Sequence, residues 1–348
     1  MKKFAVSASL PYEIIIGDDL IKNAGEYIKN VIPPCKLCVI TDSNVNSLYA
    51  QVLLTSLIES GYQVSKVLFP AGEHSKNINT YANIMSALAD EGITRSDAVI
   101  ALGGGIVGDL TGFVASTYMR GIPYIQIPTT LIAALDSSVG GKTGINLQNG
   151  KNLAGTFWQP SLVLTDYKAF DTLPNDKLLD GYAEAVKCAL ISESNMIPHI
   201  LNKDFEYVIE RCISIKKSFV EVDETDQGIR QILNFGHTIG HAIEKYSSYN
   251  ITHGQAIAKG MLAESRAAYR MGLTDCDIST ELDDLLTELG FDTSLRFNPE
   301  EIYQLTTTDE KICNGNITVI VPKSLGKCEL QRISLSKLKE YVSSGFNA

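Results

Sequence analysis

The sequence predicts an α/β domain built on a parallel sheet, followed by a mostly α-helical domain, and three observations carry that expectation. The first is periodicity. Up to about residue 170, short apolar, β-branched runs alternate with longer amphipathic stretches: LCVITD, VNSLYAQVLLTSLIES, YQVSKVLFP, TYANIMSALADEG and DAVIALGGG. Such alternation marks βαβ units. The second is a change after FDTLPNDK, where Pro174 precedes long helical segments such as KLLDGYAEAVKCALISE and the run from Arg230 through Met271. The third is length, since 348 residues exceed what a single core commonly holds. The expected boundary separates residues 1–172 from residues 173–348. Parallel sheets bind ligands at the carboxyl ends of their strands, so a cleft between the halves is the expected site.

Charge and cysteine usage narrow the function. Forty acidic against thirty basic side chains give a formal charge of -10, which repels nucleic acid and anionic membranes and argues against either as a partner. An anionic substrate would need a local cluster of Lys and Arg. The opening MKKFAVSASLPYE has a basic start, but Pro11 and Glu13 cut its apolar run, so it reads as a first strand rather than a secretory signal. No segment has the apolar length of a membrane span. The seven cysteines are odd in number and mostly scattered, as suits reduced thiols in a cytoplasmic protein. Cys35 and Cys38 form a C-x-x-C that leads straight into LCVITD, which favours burial at a strand entrance over a metal or redox role. Near the C-terminus NITVIVPKSLG reads as an extended or hairpin segment.

In VIALGGGIVGD, Gly103, Gly105 and Gly108 match G-x-G-x-x-G directly after a strand, where bare glycines let backbone N–H groups approach a pyrophosphate. The usual acidic ribose partner lies downstream, whereas the candidate here, Asp42, lies upstream. An acid at that place favours NAD over NADP. PAGEHSK, Pro70 to Lys76, supplies another strand-end loop with both charge signs. IPTTLIAALDSSVGGKTGIN then gathers Thr129, Thr130, Asp136 and Lys142, and GKN adds Lys151 and Asn152. These polar donors read as a flexible loop that holds phosphate or sugar hydroxyls.

The chain has five histidines, and three of them, His237, His241 and His253, fall within seventeen residues. On a helix His237 and His241 share one face. The bland reading is hydrogen-bonded helix histidines; the gathering of three favours a site, and imidazoles with a carboxylate suit Zn²⁺ or a similar ion. Glu184 in DGYAEAVKC is the best acid, with Lys187 one turn on. Arg230, Asn234 and His237 stand at helical spacings of four and three, and Lys216 lies farther back, so a local basic cluster exists.

Collectively, PAGEHSK, GGGIVGDLTGF, YMRGI, IPTTLIAALDSSVGGKTGIN, GKNLAGTFWQP, GYAEAVK, NFGHTIGHA and HGQAIAKGM occur in the order found in the 3-dehydroquinate synthases. The chain resembles that family over essentially its whole length. The resemblance implies a Rossmann-like NAD-binding domain and a helical metal- and substrate-binding domain, with NAD and a divalent metal, Zn²⁺ or Co²⁺, as cofactors. It implies Glu184, His237 and His253 as metal ligands and leaves His241 outside the ligand set. NAD would be held by Asp42, by Ala71, Gly72, Glu73, His74, Ser75 and Lys76, by Gly105, Ile106, Val107, Gly108 and Asp109, by Thr129, Thr130, Lys142 and Lys151, and by Ala169, Phe170, Asp171 and Thr172.

The family's substrate is the anionic sugar phosphate 3-deoxy-arabino-heptulosonate 7-phosphate. The implied reaction oxidises a ring hydroxyl with NAD⁺, eliminates phosphate, returns the hydride, opens the ring and closes a carbocycle by an intramolecular aldol step. Asp136, Lys187 and His241 resemble the residues that contact the reacting hydroxyls, with Lys142 and Arg230 also in the catalytic set. Asn152, Lys216, Arg230, Asn234 and Lys311 resemble those that hold phosphate and carboxylate. Arg120 in YMRGI resembles a phosphate ligand supplied from the neighbouring subunit, which implies a homodimer. Two departures stand out: Asp226 replaces the Glu of the family's E-x-G-x-R, and Glu310 stands where the family has a lysine before Lys311.

Overall fold

Ala98–Gly103, Tyr124–Pro128 and Leu162–Asp166 bury every residue, as strands must when helices cover both faces of a parallel sheet. In the computed structural model, which describes residues 1–307 and 315–346, they lie at the middle of a seven-stranded sheet. In chain order the strands are β1 (Lys2–Val6), β2 (Tyr12–Gly17), β3 (Lys36–Asp42), β4 (Gln63–Phe69), β5 (Ala98–Gly103), β6 (Tyr124–Pro128), β7 (Lys142–Leu147), β8 (Gly150–Phe157), β9 (Leu162–Asp166), β10 (Asn316–Ser324) and β11 (Lys327–Ser334). The sheet runs β1-β2-β9-β6-β5-β3-β4 and is parallel except for β1, which pairs antiparallel with β2. The opening segment therefore supplies two strands where the sequence suggested one.

This sheet belongs to a compact unit of Met1–Leu173 with Lys216–Thr225; the other unit is Pro174–Ile215 with Asp226–Ala348. Residues 216–225, placed in the second half by the boundary at residue 172, thus pack with the first unit. Cys35 is half-buried and Cys38 lies fully inside β3. Burial pushes the Cys35 thiol up and the Cys38 thiol up to about 11, which makes both poor nucleophiles. No helix among the described residues is long and apolar enough to cross a membrane.

Two sequence expectations need correction here. The glycine-rich stretch after Ser138, read as a flexible loop, is the antiparallel hairpin β7–β8. The hydroxyl of Thr143 bonds across it to Thr156, and buried Ile145 anchors it in the core that contains Val107, Leu110 and Val114. The run from Arg230 is also not one helix. Ile229–Asn234 is a 3₁₀ turn, and Gly236 then adopts φ 79°, a left-handed conformation open to glycine. New helices start at His237, ending at Tyr246, and at His253, ending at Arg270. Arg230, Asn234 and His237 therefore do not share one helical face.

In the second unit, the helices His237–Tyr246 and His253–Arg270 cross at very close range. A Cβ on Gly260 would lie 2.0 Å from the Gly236 carbonyl oxygen and 2.8 Å from the Gly240 nitrogen. Gly236 offers no capping side chain, and Glu264 from the other helix takes its place. Its carboxylate, 1% exposed, accepts from Gly236 N at 3.0 Å and Ile239 N at 3.3 Å. A buried carboxylate on helix N–H groups is a charge-assisted bond that also meets the positive end of the helix dipole. The crossing fixes two helices whose first residues are His237 and His253. Replacing Gly260 with Ala should cost about 1–3 kcal/mol through overpacking, seen as a thermal midpoint lowered by several degrees. An unchanged midpoint would mean that the crossing can spread at no cost.

Candidate functional site

In the first unit the strand order reverses direction around β3: β4 lies on one side of it, β5, β6 and β9 on the other. The carboxyl ends of β3 and β5 thus flank a topological switch point, where such sheets bind ligands. Asp42 ends β3, and Gly103 ends β5. The helix Gly105–Thr117 starts immediately after, with its first-turn N–H groups directed at the switch point and with Gly104 as a cap residue that has no side chain. Gly108 serves packing as well, since a Cβ there would approach Gln126 Oε1 to 2.9 Å.

Asp42, the expected ribose ligand, also has a structural task. Its Oδ1 caps the following helix by accepting from Asn44 N at 2.8 Å and Val45 N at 3.0 Å. Thr129, at the end of β6, is 2% exposed and its hydroxyl has no hydrogen-bond partner among the described residues. An unmet buried hydroxyl costs about 1–3 kcal/mol. Together with a helix N-terminus that no side chain among the described residues caps, it fits a bound nucleotide.

The loop after β4 and the β7–β8 hairpin are tied together. Buried Lys76 pairs with Asp109 Oδ2 at 2.6 Å and donates to Asn152 Oδ1. Asn146 donates to Glu73 Oε1 at 2.7 Å, and its own Oδ1 accepts from Asn152 N at 2.9 Å. Burial raises the Asp109 carboxyl, and Lys76 offsets part of that rise. Lys76 and Asn152, expected on cofactor and substrate respectively, are thus direct partners. Asn146 lies within the TGIN stretch, and only the register of the hairpin reveals its part. Lys216 likewise meets Asp136, its Nζ donating to Oδ1 at 2.7 Å and to the backbone oxygen at 2.5 Å.

Ala71 to Ser75 precede Lys76 on this loop, and Ala169 to Thr172 follow β9. Ala169 and Phe170 are buried, and the Thr172 hydroxyl bonds Tyr49 at 2.6 Å. Thr130 Oγ1 accepts from Ala133 N at 3.3 Å. Lys142 is exposed at the start of β7, and Lys151 is half-buried on β8. Arg120 is exposed in a turn where Met119, Arg120 and Gly121 have φ of 50°, 68° and 115°. Lys311 lies outside the described residues.

The second unit holds the histidines. Glu184 is wholly buried on the helix Asn175–Ser192. Its Oε2 pairs with Lys187 one turn on, and its Oε1 lies 3.2 Å from His253 Nε2 and 3.6 Å from His237 Nε2. Metal–ligand bonds of 2.0–2.2 Å in a tetrahedral array separate neighbouring ligand atoms by about 3.3 Å. Glu184, His237 and His253 therefore fit one divalent ion, and their ligand atoms all fall within 4.8 Å. His237 Nδ1 lies 3.1 Å from the Phe235 carbonyl oxygen, which fixes its ring with Nε2 directed at Glu184. His241 is close by, its ring centre 5.3 Å from that of His237 and 6.1 Å from that of His253. Arg230 is buried and Asn234 half-buried on the preceding 3₁₀ turn.

Charge explains why the cluster suits a cation. Burial pushes the Glu184 carboxyl up, but Lys187 and His253 outweigh it and hold the group ionised, down to about 2. Burial pushes the His253 imidazole down, while Glu184 and Glu244 outweigh it and hold it protonated, up to about 10. Two carboxylates thus demand positive charge at this ring, and a divalent ion would supply it with release of the proton. Glu244 and Glu264 are functional-looking carboxylates that sequence reasoning missed. The available signal was Glu244 at the end of NFGHTIGHAIE, three residues past His241.

Residues 66–180 match the 3-dehydroquinate synthase N-terminal family, and residues 181–312 match the 3-dehydroquinate synthase C-terminal family. A 3-dehydroquinate synthase of Streptococcus thermophilus is 39% identical over 343 residues, covering 95% of this chain and 97% of the relative. A solved 2-deoxy-scyllo-inosose synthase, complexed with carbaglucose-6-phosphate, NAD⁺ and Co²⁺, superposes with a TM-score of 0.88 at 28% identity, covering 98% of this chain and 99% of that one. The fold is shared at a TM-score of 0.87 and 23% identity by a 2-epi-5-epi-valiolone synthase of Streptomyces hygroscopicus with NAD⁺ and Zn²⁺ bound, with 98% and 99% coverage. The two family models together span both halves, and the Streptococcus thermophilus relative aligns over nearly the full length at 39% identity: the chain belongs to the 3-dehydroquinate synthase family.

Proposed function

We propose that the residues assembled above carry the reaction of this family, conversion of 3-deoxy-D-arabino-heptulosonate 7-phosphate to 3-dehydroquinate and phosphate, in aromatic amino-acid biosynthesis. The observation that carries the residue assignment is Glu184 Oε1 set between the Nε2 atoms of His253 and His237 at 3.2 and 3.6 Å. When bound, NAD supplies reversible hydride acceptance and the divalent metal supplies Lewis acidity toward a hydroxyl or ketone oxygen.

The chain's own residues bind, orient and move protons. Glu184, His237 and His253 are the metal ligands in this reading, and the Lys187 ammonium keeps the Glu184 carboxylate ionised. Lys187, His241 and Asp136 contact the reacting hydroxyls, with the His241 imidazole available to take the proton released on oxidation. Lys216 holds the Asp136 carboxylate in place and adds positive charge for the substrate's anionic groups. Lys142, Asn152, Arg230 and Asn234 complete the set that orients phosphate and carboxylate, so that elimination is chiefly a matter of positioning. Asp42, the loop at 71–76, Gly105 to Asp109, Thr129, Thr130, Lys151 and residues 169–172 hold the nucleotide. The two functional domains in this reading are residues 1–172 and 173–348, with residues 216–225 packed on the first, and the proposed location is the cytoplasm.

The enzyme is further proposed to act as a homodimer in which Arg120 serves the neighbouring subunit's phosphate. Support comes from the backbone: two successive non-glycine residues with positive φ, Met119 and Arg120, cost of order 1–3 kcal/mol each and concentrate where function holds a turn in place.

Two measurements follow. After chelation, addition of Zn²⁺, NAD⁺ and 3-deoxy-D-arabino-heptulosonate 7-phosphate should restore phosphate release with no net NADH, since the cofactor is reduced and reoxidised within one turnover. Accumulating NADH without phosphate would point instead to a metal-dependent alcohol dehydrogenase. Mixing Arg120→Ala subunits with His253→Ala subunits, each inactive alone, should restore about a quarter of wild-type activity, because half the dimers then carry one complete site. No recovery after verified subunit exchange would refute the donation of Arg120.

A further inference from the structure

We infer that Glu244 is a positioning residue for the metal centre, holding the His253 ring by Nδ1 so that Nε2 faces Glu184. This rests on the reading of Glu184, His237 and His253 as ligands. Glu244 is 2% exposed and sits on the helix that begins with His237. Its Oε2 lies 3.5 Å from His253 Nδ1, while His253 Nε2 lies 3.2 Å from Glu184 Oε1. That first contact is at the long limit of a hydrogen bond, but it is buried and the carboxylate can only accept. A proton therefore belongs on Nδ1, and the proton that Glu184 accepts from Nε2 is the one a metal would displace, leaving the Nε2 lone pair for the ion.

The two ligand histidines are thus oriented in the same way by different acceptors. His237 uses the Phe235 carbonyl at 3.1 Å, and His253 uses a carboxylate. A carboxylate behind a ligand imidazole fixes its tautomer and raises its basicity, and losing such a partner typically weakens metal binding 10–100-fold. One helix consequently supplies both a ligand, His237, and the support for the other helix's ligand, His253. The same carboxylate also lies within ligand reach of His241 and His253, so the rival use of Glu244 is as a ligand of a second ion.

The test is cobalt binding to chelator-stripped protein, measured by competition with a chromophoric chelator and by the visible ligand-field bands. Wild type should bind one equivalent. Glu244→Gln should bind it 10–100-fold more weakly with shifted bands, while its metal-free thermal midpoint and NAD affinity stay at the wild-type values; a merely structural loss would move the midpoint instead. His253→Ala should lose binding. Wild-type cobalt affinity and bands in Glu244→Gln would overturn the positioning role while leaving the ligand reading intact. Wild-type affinity in His253→Ala would overturn the ligand reading itself. Two equivalents in wild type with one lost in Glu244→Gln would make Glu244 a ligand and overturn the inference. If Glu244→Gln does not fold, Glu244→Asp decides on the same scale, since it keeps the charge but withdraws the oxygen from Nδ1.

Discussion

The buried negative charge of Glu184 is the constraint on which the second unit depends. A carboxylate at 0% exposure is costly unless cations surround it, and this one is met by Lys187 on its own helix and by His253 and His237 from two others. The helices must therefore converge on it. Removing one partner would leave the rest with uncompensated charge. The arrangement gives up stability relative to an apolar core of similar volume and gains a place where a divalent ion is electrostatically favoured.

Convergence alone would leave the carboxylate and the imidazoles loosely held, and the glycines and second carboxylates remove that slack. Gly236, Gly240 and Gly260 allow the two histidine-bearing helices to approach until backbone meets backbone. Glu264 then caps one helix from the other, and Glu244 reaches back in the opposite direction. The first unit solves its own positioning problem differently. There a parallel sheet supplies a switch point, and the Lys76, Asp109, Asn152 and Asn146 network ties a strand-end loop to a hairpin.

Much of this was legible in the sequence because it depends on local pattern. Strands buried on both faces read as apolar runs, and Glu184 and Lys187 were identifiable at one helical turn. What the sequence hid depends on long-range partners. A single left-handed glycine, Gly236, breaks a run whose periodicity otherwise continues, so Arg230 and His237 fall on different elements. The β7–β8 hairpin is rich in glycine and polar residues, which looks like a loop until its cross-strand threonines and Ile145 find their partners. Residues 216–225 follow a helical stretch continuous with the second half, and only packing assigns them to the first unit. Glu264 and Glu244 gain meaning only once the helices have crossed.

The most direct test is anomalous diffraction at the zinc edge from crystals of the zinc-loaded protein. The account predicts one peak, bonded at about 2.0–2.2 Å to Glu184, His237 Nε2 and His253 Nε2, with Glu244 on the far side of the His253 ring. A peak held instead by His241, Glu244 and His253, with Glu184 uncoordinated, would contradict it.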